Sequence, residues 1–274
     1  MTEVQFASLV VRGRPLSIEY QRVGEQGHAP TIVFLHEGLG SLRMWRDFPS
    51  RLCLALGCNG VIYSRPGYGD SAPLWPHGQW PPDFMHVEAL EVLPRFLQAI
   101  GVGTDEVPVT LFGHSDGATI ALLFCQSFPL FAARLFLEAP HVFVEAMTIS
   151  SIAATKTRFD DPRVLDRLSK YHRSPAYVFD GWSSIWLDPR FMLWNIEADI
   201  AGFSTPTLVL QGVDDEYGSD EHVKRVLRCG KNVTIKMLTQ CKHSPHLDQP
   251  AVTINAIQEF LAGKRAARLD HSVP

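Results

Sequence analysis

Val107-Pro108-Val109-Thr110-Leu111-Phe112-Gly113-His114-Ser115-Asp116-Gly117 is the stretch on which the fold turns. Its first six residues form a short apolar run, the kind that suits a strand covered on both faces. The pattern G-x-S-x-G follows, and a helical pattern starts at Asp116 and continues through Leu122 to Gln126. So tight a turn from strand to helix forces strained backbone angles on the serine. Only small residues two positions either side of it avoid a clash. The hydroxyl then stands at the tip of the strand, above a helix N-terminus whose amides can stabilise an oxyanion. Ser115 is therefore the candidate nucleophile.

Working outward, other short apolar runs flank this strand. Thr31–Leu35, Gly60–Ser64, Arg134–Glu138, Thr207–Leu210 and Asn232–Met237 read as further strands, and Phe6–Tyr20 reads as a hairpin around Gly13-Arg14-Pro15. Between them run helical patterns at about Met85–Ile100 and Ala251–Ala262, the first carrying Pro94, which should kink or break it. Strand and helix alternating in this way predict an α/β fold, a mostly parallel twisted sheet with helices on both faces. The alternation stops between His141 and Ala201. That stretch holds Trp182, Trp186 and Trp194, several Tyr and Phe, and Pro162, Pro175 and Pro189. It is too long for an ordinary loop. The expected organisation is a core of residues 1–140 and 202–274 with a helical cap, 141–201, inserted over one end of the sheet. Large aromatics pack cores as readily as they line pockets. Trp182 and Trp186 are the cap's candidate pocket residues. Lys264–Pro274 reads as a frayed polar tail.

A serine hydroxyl needs a base, and the base needs an acid to hold its tautomer. Lys242-His243-Ser244-Pro245-His246 follows the last strand, so His243 and His246 compete for the first role, among eleven histidines in the chain. His243 is preferred, with His246 as a supporting or purely structural residue. Gln211-Gly212-Val213-Asp214-Asp215-Glu216 follows the preceding strand and offers three acids. The order Ser, Asp, His along the chain is the order this architecture uses.

Bulk properties exclude other classes. The chain has 274 residues, 46% hydrophobic and 20% charged, with a net charge of −4. That is enough chain to bury a large core without disulfides or metal. It carries no basic patch for nucleic acid. No run is long and apolar enough to span a membrane, and the first residues have no secretory pattern. Five unpaired-looking cysteines suit a reducing compartment, so a cytoplasmic location is expected. No P-loop, dinucleotide fingerprint or metal-ligand cluster is present. No cofactor and no metal are expected, and the partner expected is a small-molecule substrate.

These motifs together resemble the α/β-hydrolase fold family, in particular its lid-bearing esterases, lactonases and carbon–carbon bond hydrolases, over nearly the whole chain. Leu35-His36-Glu37-Gly38-Leu39-Gly40 resembles the family's His-Gly-Gly oxyanion loop. Tyr63-Ser64-Arg65-Pro66-Gly67-Tyr68-Gly69-Asp70-Ser71 resembles its second glycine-rich loop. Gly212–Asp215 resembles G-x-x-D, and His243-Ser244-Pro245 with Asp248 and Pro250 resembles the histidine loop. The resemblance implies a triad of Ser115, Asp215 and His243, with oxyanion donors at the backbone amides of Gly38 and Asp116. It implies hydrolysis of a carboxylic ester or lactone through an acyl-enzyme; the Trp- and Phe-rich cap, with Glu37, Asp70 and Asp116 near the site, predicts a small-to-medium, largely apolar substrate. The alternatives are carbon–carbon cleavage of a vinylogous diketone, or a small-molecule receptor on the same fold. Glu37, Asp116 and Ser64 depart from the family pattern. Acids at 37 and 116 inside the pocket would oppose a developing oxyanion. The expectation is that both turn away and pair with Arg43, Arg46 or Arg65. Glu37 is nevertheless retained as a candidate pocket residue.

Overall fold

Apolar runs with a period of two become strands that present alternate residues to the two faces of one sheet. The computed structural model describes residues 3–24, 27–75, 78–159 and 161–263. Its strands are β1 (Gln5–Val11), β2 (Arg14–Val23), β3 (Thr31–Leu35), β4 (Asn59–Tyr63), β5 (Val109–His114), β6 (Ala132–Glu138), β7 (Thr207–Gly212) and β8 (Val233–Leu238). They lie in the order β1-β2-β4-β3-β5-β6-β7-β8. The β1–β2 and β2–β4 pairs are antiparallel, and every later pair is parallel. The hairpin turns at Arg12-Gly13, both with positive φ (50° and 76°), as a tight two-residue hairpin turn requires.

The helices are α1 (Phe48–Leu56), α2 (Phe84–Val87), α3 (Leu93–Ala99), α4 (Asp116–Ser127), α5 (Ala146–Arg158), α6 (Pro162–Ser169), α7 (Pro175–Trp186), α8 (Asp220–Cys229), α9 (Pro245–Asp248) and α10 (Pro250–Leu261). The sheet splits the core in two. Val33, Leu35, Leu111, Leu135, Leu137 and Val209 pack with apolar residues of α3, α4 and α8. Their strand neighbours Ile32, Phe34, Phe112, Phe136, Leu208 and Leu210 pack with α1 and α10. Every residue of β5 is buried, and β5 lies between β3 and β6 in the interior of the sheet, so the serine after it stands near the middle of the sheet's edge.

Three readings need correction. β5 starts at Val109, not Val107, which is exposed. Pro94 breaks nothing: the helical segment runs on from Phe84 to Ala99 through a π turn at Glu88–Val92. Proline lacks the N–H an α-turn would use and crowds the carbonyl four residues back, and the wider turn relieves both. Helices α1 and α8 were not read from the sequence, yet both carry signals. Ser219 caps α8 by accepting from the Glu221 amide, with Asp220 and Glu221 in the first turn. Pro49 opens α1 and Gly57, at φ 63°, closes it. Between β6 and β7 lie α5, α6 and α7, and among the described residues the only strand-type pairing there is a single bridge between Phe143 and Asn195. The tail from Lys264 lies outside the described residues.

Candidate active site

Ser115 sits between β5 and α4 with φ 54° and ψ −117°, a conformation that L-residues avoid. The two glycines are demanded by backbone contact. A Cβ on Gly113 would stand 2.5 Å from the Gly117 carbonyl oxygen, and one on Gly117 would overlap the Leu35 carbonyl of β3. The elbow is pinned from both sides: the Ser115 amide donates to Glu138 O at 2.9 Å, and the Ala118 and Thr119 amides donate to Ser115 O. As the first residue of α4, Asp116 carries an amide the helix does not use.

The two downstream loops meet beside this elbow. His243 Nδ1 lies 2.9 Å from both carboxylate oxygens of Asp215. Asp215 also accepts from the amides of Tyr217 (2.8 Å) and Gly218 (3.2 Å) and from Gln211 Nε2 (2.7 Å). Burial pushes its carboxyl up, but the bonds from His243 and Tyr217 outweigh that and hold it far below the usual carboxylate range. Asp214 is exposed. His246 turns the other way and bonds through Nδ1 to the buried Glu138 at 2.5 Å, with its ring against Trp45 and Phe48. His243 thus takes the orienting carboxylate, and His246 anchors its loop to the end of β6. His114, Glu138 and His246 form a grouping of the kind that can hold a metal, with ligand atoms within 4.8 Å of one another. Ligand atoms around a bound zinc stand about 3.3 Å apart, given bonds of about 2.0–2.2 Å. In this structure His246 and Glu138 are instead bonded directly to each other at 2.5 Å.

The loop after β3 is fixed carbonyl by carbonyl. Glu37 O accepts from His36 Nδ1 (2.7 Å) and Arg65 Nη2 (2.9 Å), Gly38 O from the Tyr68 hydroxyl (2.9 Å), and Leu39 O from His172 Nε2 (3.0 Å). In a trans peptide the N–H points opposite to the carbonyl, so tying Glu37 O aims the Gly38 N–H away from Arg65 and His36. The two histidines are held neutral. His36 Nε2 and His172 Nδ1 accept from the amides of Arg65 and Gly69, and burial lowers both rings' pKa.

The acids at 37 and 116 behave differently from each other. Asp116 turns inward, as expected, to Arg65 at 3.6 Å, both side chains being buried. Burial raises the Asp116 carboxyl and Arg65 counters it. Arg65 also stacks over Tyr68, 4.5 Å from the ring centroid. Across the same buried charge group, burial in the π turn pushes the Glu88 carboxyl up to about 7. Glu37 overturns the expectation. It pairs with none of the named arginines: its carboxylate lines the cavity and faces His114 Nδ1 at 3.5 Å, while Arg43 pairs with Asp70. Arg65→Met is expected to destabilise the fold by about 3–5 kcal/mol, the cost of leaving one partner of a buried pair unpaired. Denaturant titration of the variant measures it.

Ser115, His243, Gly38, Asp116, Glu37, Trp182 and Trp186 all line one cavity of about 310 Å³. Trp182 and Trp186 come from one face of α7, Thr148 and Ile152 from α5. The same cavity is lined by residues the sequence reading missed, His114, His141 and Tyr217 among them. Gly38 packs so closely on Trp182 that a Cβ there would overlap the indole. His141 is buried against His243, His222 and Trp186. No short motif flags it, since its partners come from loops distant in sequence.

A mostly parallel sheet with a G-x-S-x-G elbow at the tip of a central strand is the architecture of α/β hydrolases. The model of the alpha/beta hydrolase family matches residues 32–256, and the chain belongs to that family. It is 24% identical over 277 residues to the sn-1-specific diacylglycerol lipase ABHD11 of Mus musculus, covering 91% of this chain and 86% of the relative. It is 24% identical over 275 residues to the serine hydrolase BPHL of Mus musculus, covering 95% and 87%. Among solved structures it matches a membrane phospholipase A, a bacterial virulence factor, with a TM-score of 0.73 at 21% identity over 96% of this chain and 87% of that one. No helix of the described residues is long and apolar enough to cross a membrane.

Proposed function

We propose that the protein is a serine hydrolase that cleaves a small-to-medium, largely apolar carboxylic ester or lactone through an acyl-enzyme. The observation that carries this reading is the Asp215–His243 pair opening on the same cavity as Ser115. In this mechanism His243 takes the Ser115 proton as the hydroxyl oxygen attacks the ester carbonyl. The resulting oxyanion is met by the amides of Gly38 and Asp116, donors fixed before substrate arrives. The C–O bond to the leaving alkoxide then breaks, and His243 returns the proton to it. Water, deprotonated by His243, cleaves the acyl-enzyme and regenerates the serine. Asp215 holds the imidazole and stabilises its protonated form. Residues 141–201 act as the cap that closes the acyl site. A cap of this kind excludes water and sets chain-length preference.

Cavity size supports the substrate class. At about 310 Å³ it stands at the low end of the roughly 300–1,000 Å³ range of ligand pockets, with tryptophan and isoleucine walls. Hydrolysis of p-nitrophenyl esters of rising acyl length tests the reading. Butanoate and hexanoate are expected to exceed dodecanoate by more than about tenfold in kcat/KM, and Trp186→Ala is expected to narrow that gap. A dicarboxylate half-ester is expected to be poor, because Arg65 is committed to Asp116 and the one Lys or Arg among the described lining residues, Lys242, is exposed to solvent. Absence of turnover on every ester by the folded protein would remove the proposal.

A further inference from the structure

His114 occupies the position before the nucleophile and is buried at the end of β5. Its Nε2 lies 2.8 Å from the main-chain oxygen of His243. Its Nδ1 faces the Glu37 carboxylate at 3.5 Å, an ion-pair contact, and is otherwise buried without a hydrogen-bond partner. A carbonyl and a carboxylate only accept, whereas a neutral imidazole has a single N–H to give. With an acceptor at each nitrogen, the ring serves both sides only as an imidazolium. We propose that His114 is a cationic positioning residue. It ties the loop after β3, through Glu37, to the loop after β8, through the His243 carbonyl, and so sets the catalytic imidazole relative to Ser115.

The surroundings favour the charge. Glu37 approaches from the loop after β3, Glu138 from the end of β6, and Asp116 from the start of α4. From the loop after β8 come His243, with ring centroids 5.1 Å apart, and His246, 5.0 Å away and itself bonded to Glu138. Burial lowers the His114 pKa, but the facing Glu37 carboxylate and the charge of Glu138 outweigh it, so the net shift is upward. Glu37 shows the matching shift: burial raises it, and His114 more than reverses this. The pairing also removes the difficulty of an acid in the oxyanion loop. The Glu37 charge is met by His114, so it does not oppose the charge that develops on the substrate.

The inference has a pH signature of definite sign. Because the folded-state pKa of His114 is raised, both ties are present below it. As pH rises through it, the ring keeps one N–H and loses one tie, so turnover falls on the alkaline side. Removing the Glu37 charge lowers that pKa and brings the loss to lower pH. The deciding experiment records kcat and KM for p-nitrophenyl butanoate across the pH range for wild type, Glu37→Gln and His114→Gln. It is paired with ¹⁵N NMR of the histidine rings in the same proteins without substrate. In wild type both His114 nitrogens are expected to carry protons at neutral pH. In Glu37→Gln the ring is expected to titrate about one unit or more lower, with the alkaline limb of kcat moving with it and KM changing less than about twofold. His114→Gln keeps a neutral donor and no charge, and is expected to lose about tenfold in kcat along with that limb. A singly protonated His114 at neutral pH, or an alkaline limb unmoved in Glu37→Gln, would overturn the proposal. If His114→Gln does not fold, the Glu37→Gln and NMR comparisons still decide. Only the rate measurements rest on the serine-hydrolase reading. The NMR titration reads His114 without any ester, so failure of one is distinguishable from failure of the other.

Discussion

Ser115→Ala is expected to lower ester turnover by about 10⁴-fold or more while leaving the thermal midpoint near the wild-type value. Alanine keeps the Cβ, so the elbow geometry at φ 54° and the contacts of Gly113 and Gly117 with the neighbouring backbone are unchanged. What disappears is the oxygen that, in the proposed mechanism, bonds to the acyl carbon. The amides of Gly38 and Asp116, the proposed oxyanion donors, remain and are expected to sustain whatever residual hydrolysis is seen. Paired measurements of kcat and thermal unfolding check this. Near-normal hydrolysis by a folded variant would exclude the serine mechanism.

The second large effect separates adjacent acids. Asp215→Asn is expected to cost about 10⁴ in kcat, and Asp214→Asn less than about threefold. Asp215 accepts from His243 Nδ1, and its ionised state is secured by that bond and by the Tyr217 amide. An asparagine amide turned toward His243 offers a donor in place of an acceptor, which favours the wrong tautomer. Asp214 is exposed and no such bond depends on its side chain. Steady-state kinetics of the two variants side by side decides it. Loss confined to Asp214→Asn would mean that the two loops have been set one residue out of place.

The parts of this site that were legible in the sequence are those where local geometry dictates residue type. The elbow shows because nothing larger than glycine fits at 113 and 117. Trp182 and Trp186 share a cavity wall because residues four apart lie on one face of a helix. Asp116 was legible as a paired acid because an unpaired buried carboxylate is costly. The partner of Glu37 was not legible. Arginine is the usual expectation for a buried acid, and His114 is recognisable only once β3 and β5 are known to be neighbours in the sheet. His141 was missed for the same reason. The choice of Asp215 over Asp214 came from the family pattern alone, since two consecutive acids after a strand differ only in which way the turn points them. Pro94 misled because a proline's effect depends on whether the turn before it can widen.

The backbone at Ser115 has a consequence beyond catalysis. A non-glycine residue in such a conformation typically costs about 1–3 kcal/mol, and glycine at that position would relax it. Judged by conformational preference alone, the best residue at 115 is therefore one that cannot react. Selection for thermal robustness and selection for chemistry pull in opposite directions at this one position. A stabilising screen blind to turnover would drift toward glycine there and, on the proposed mechanism, return a sturdier, inert protein.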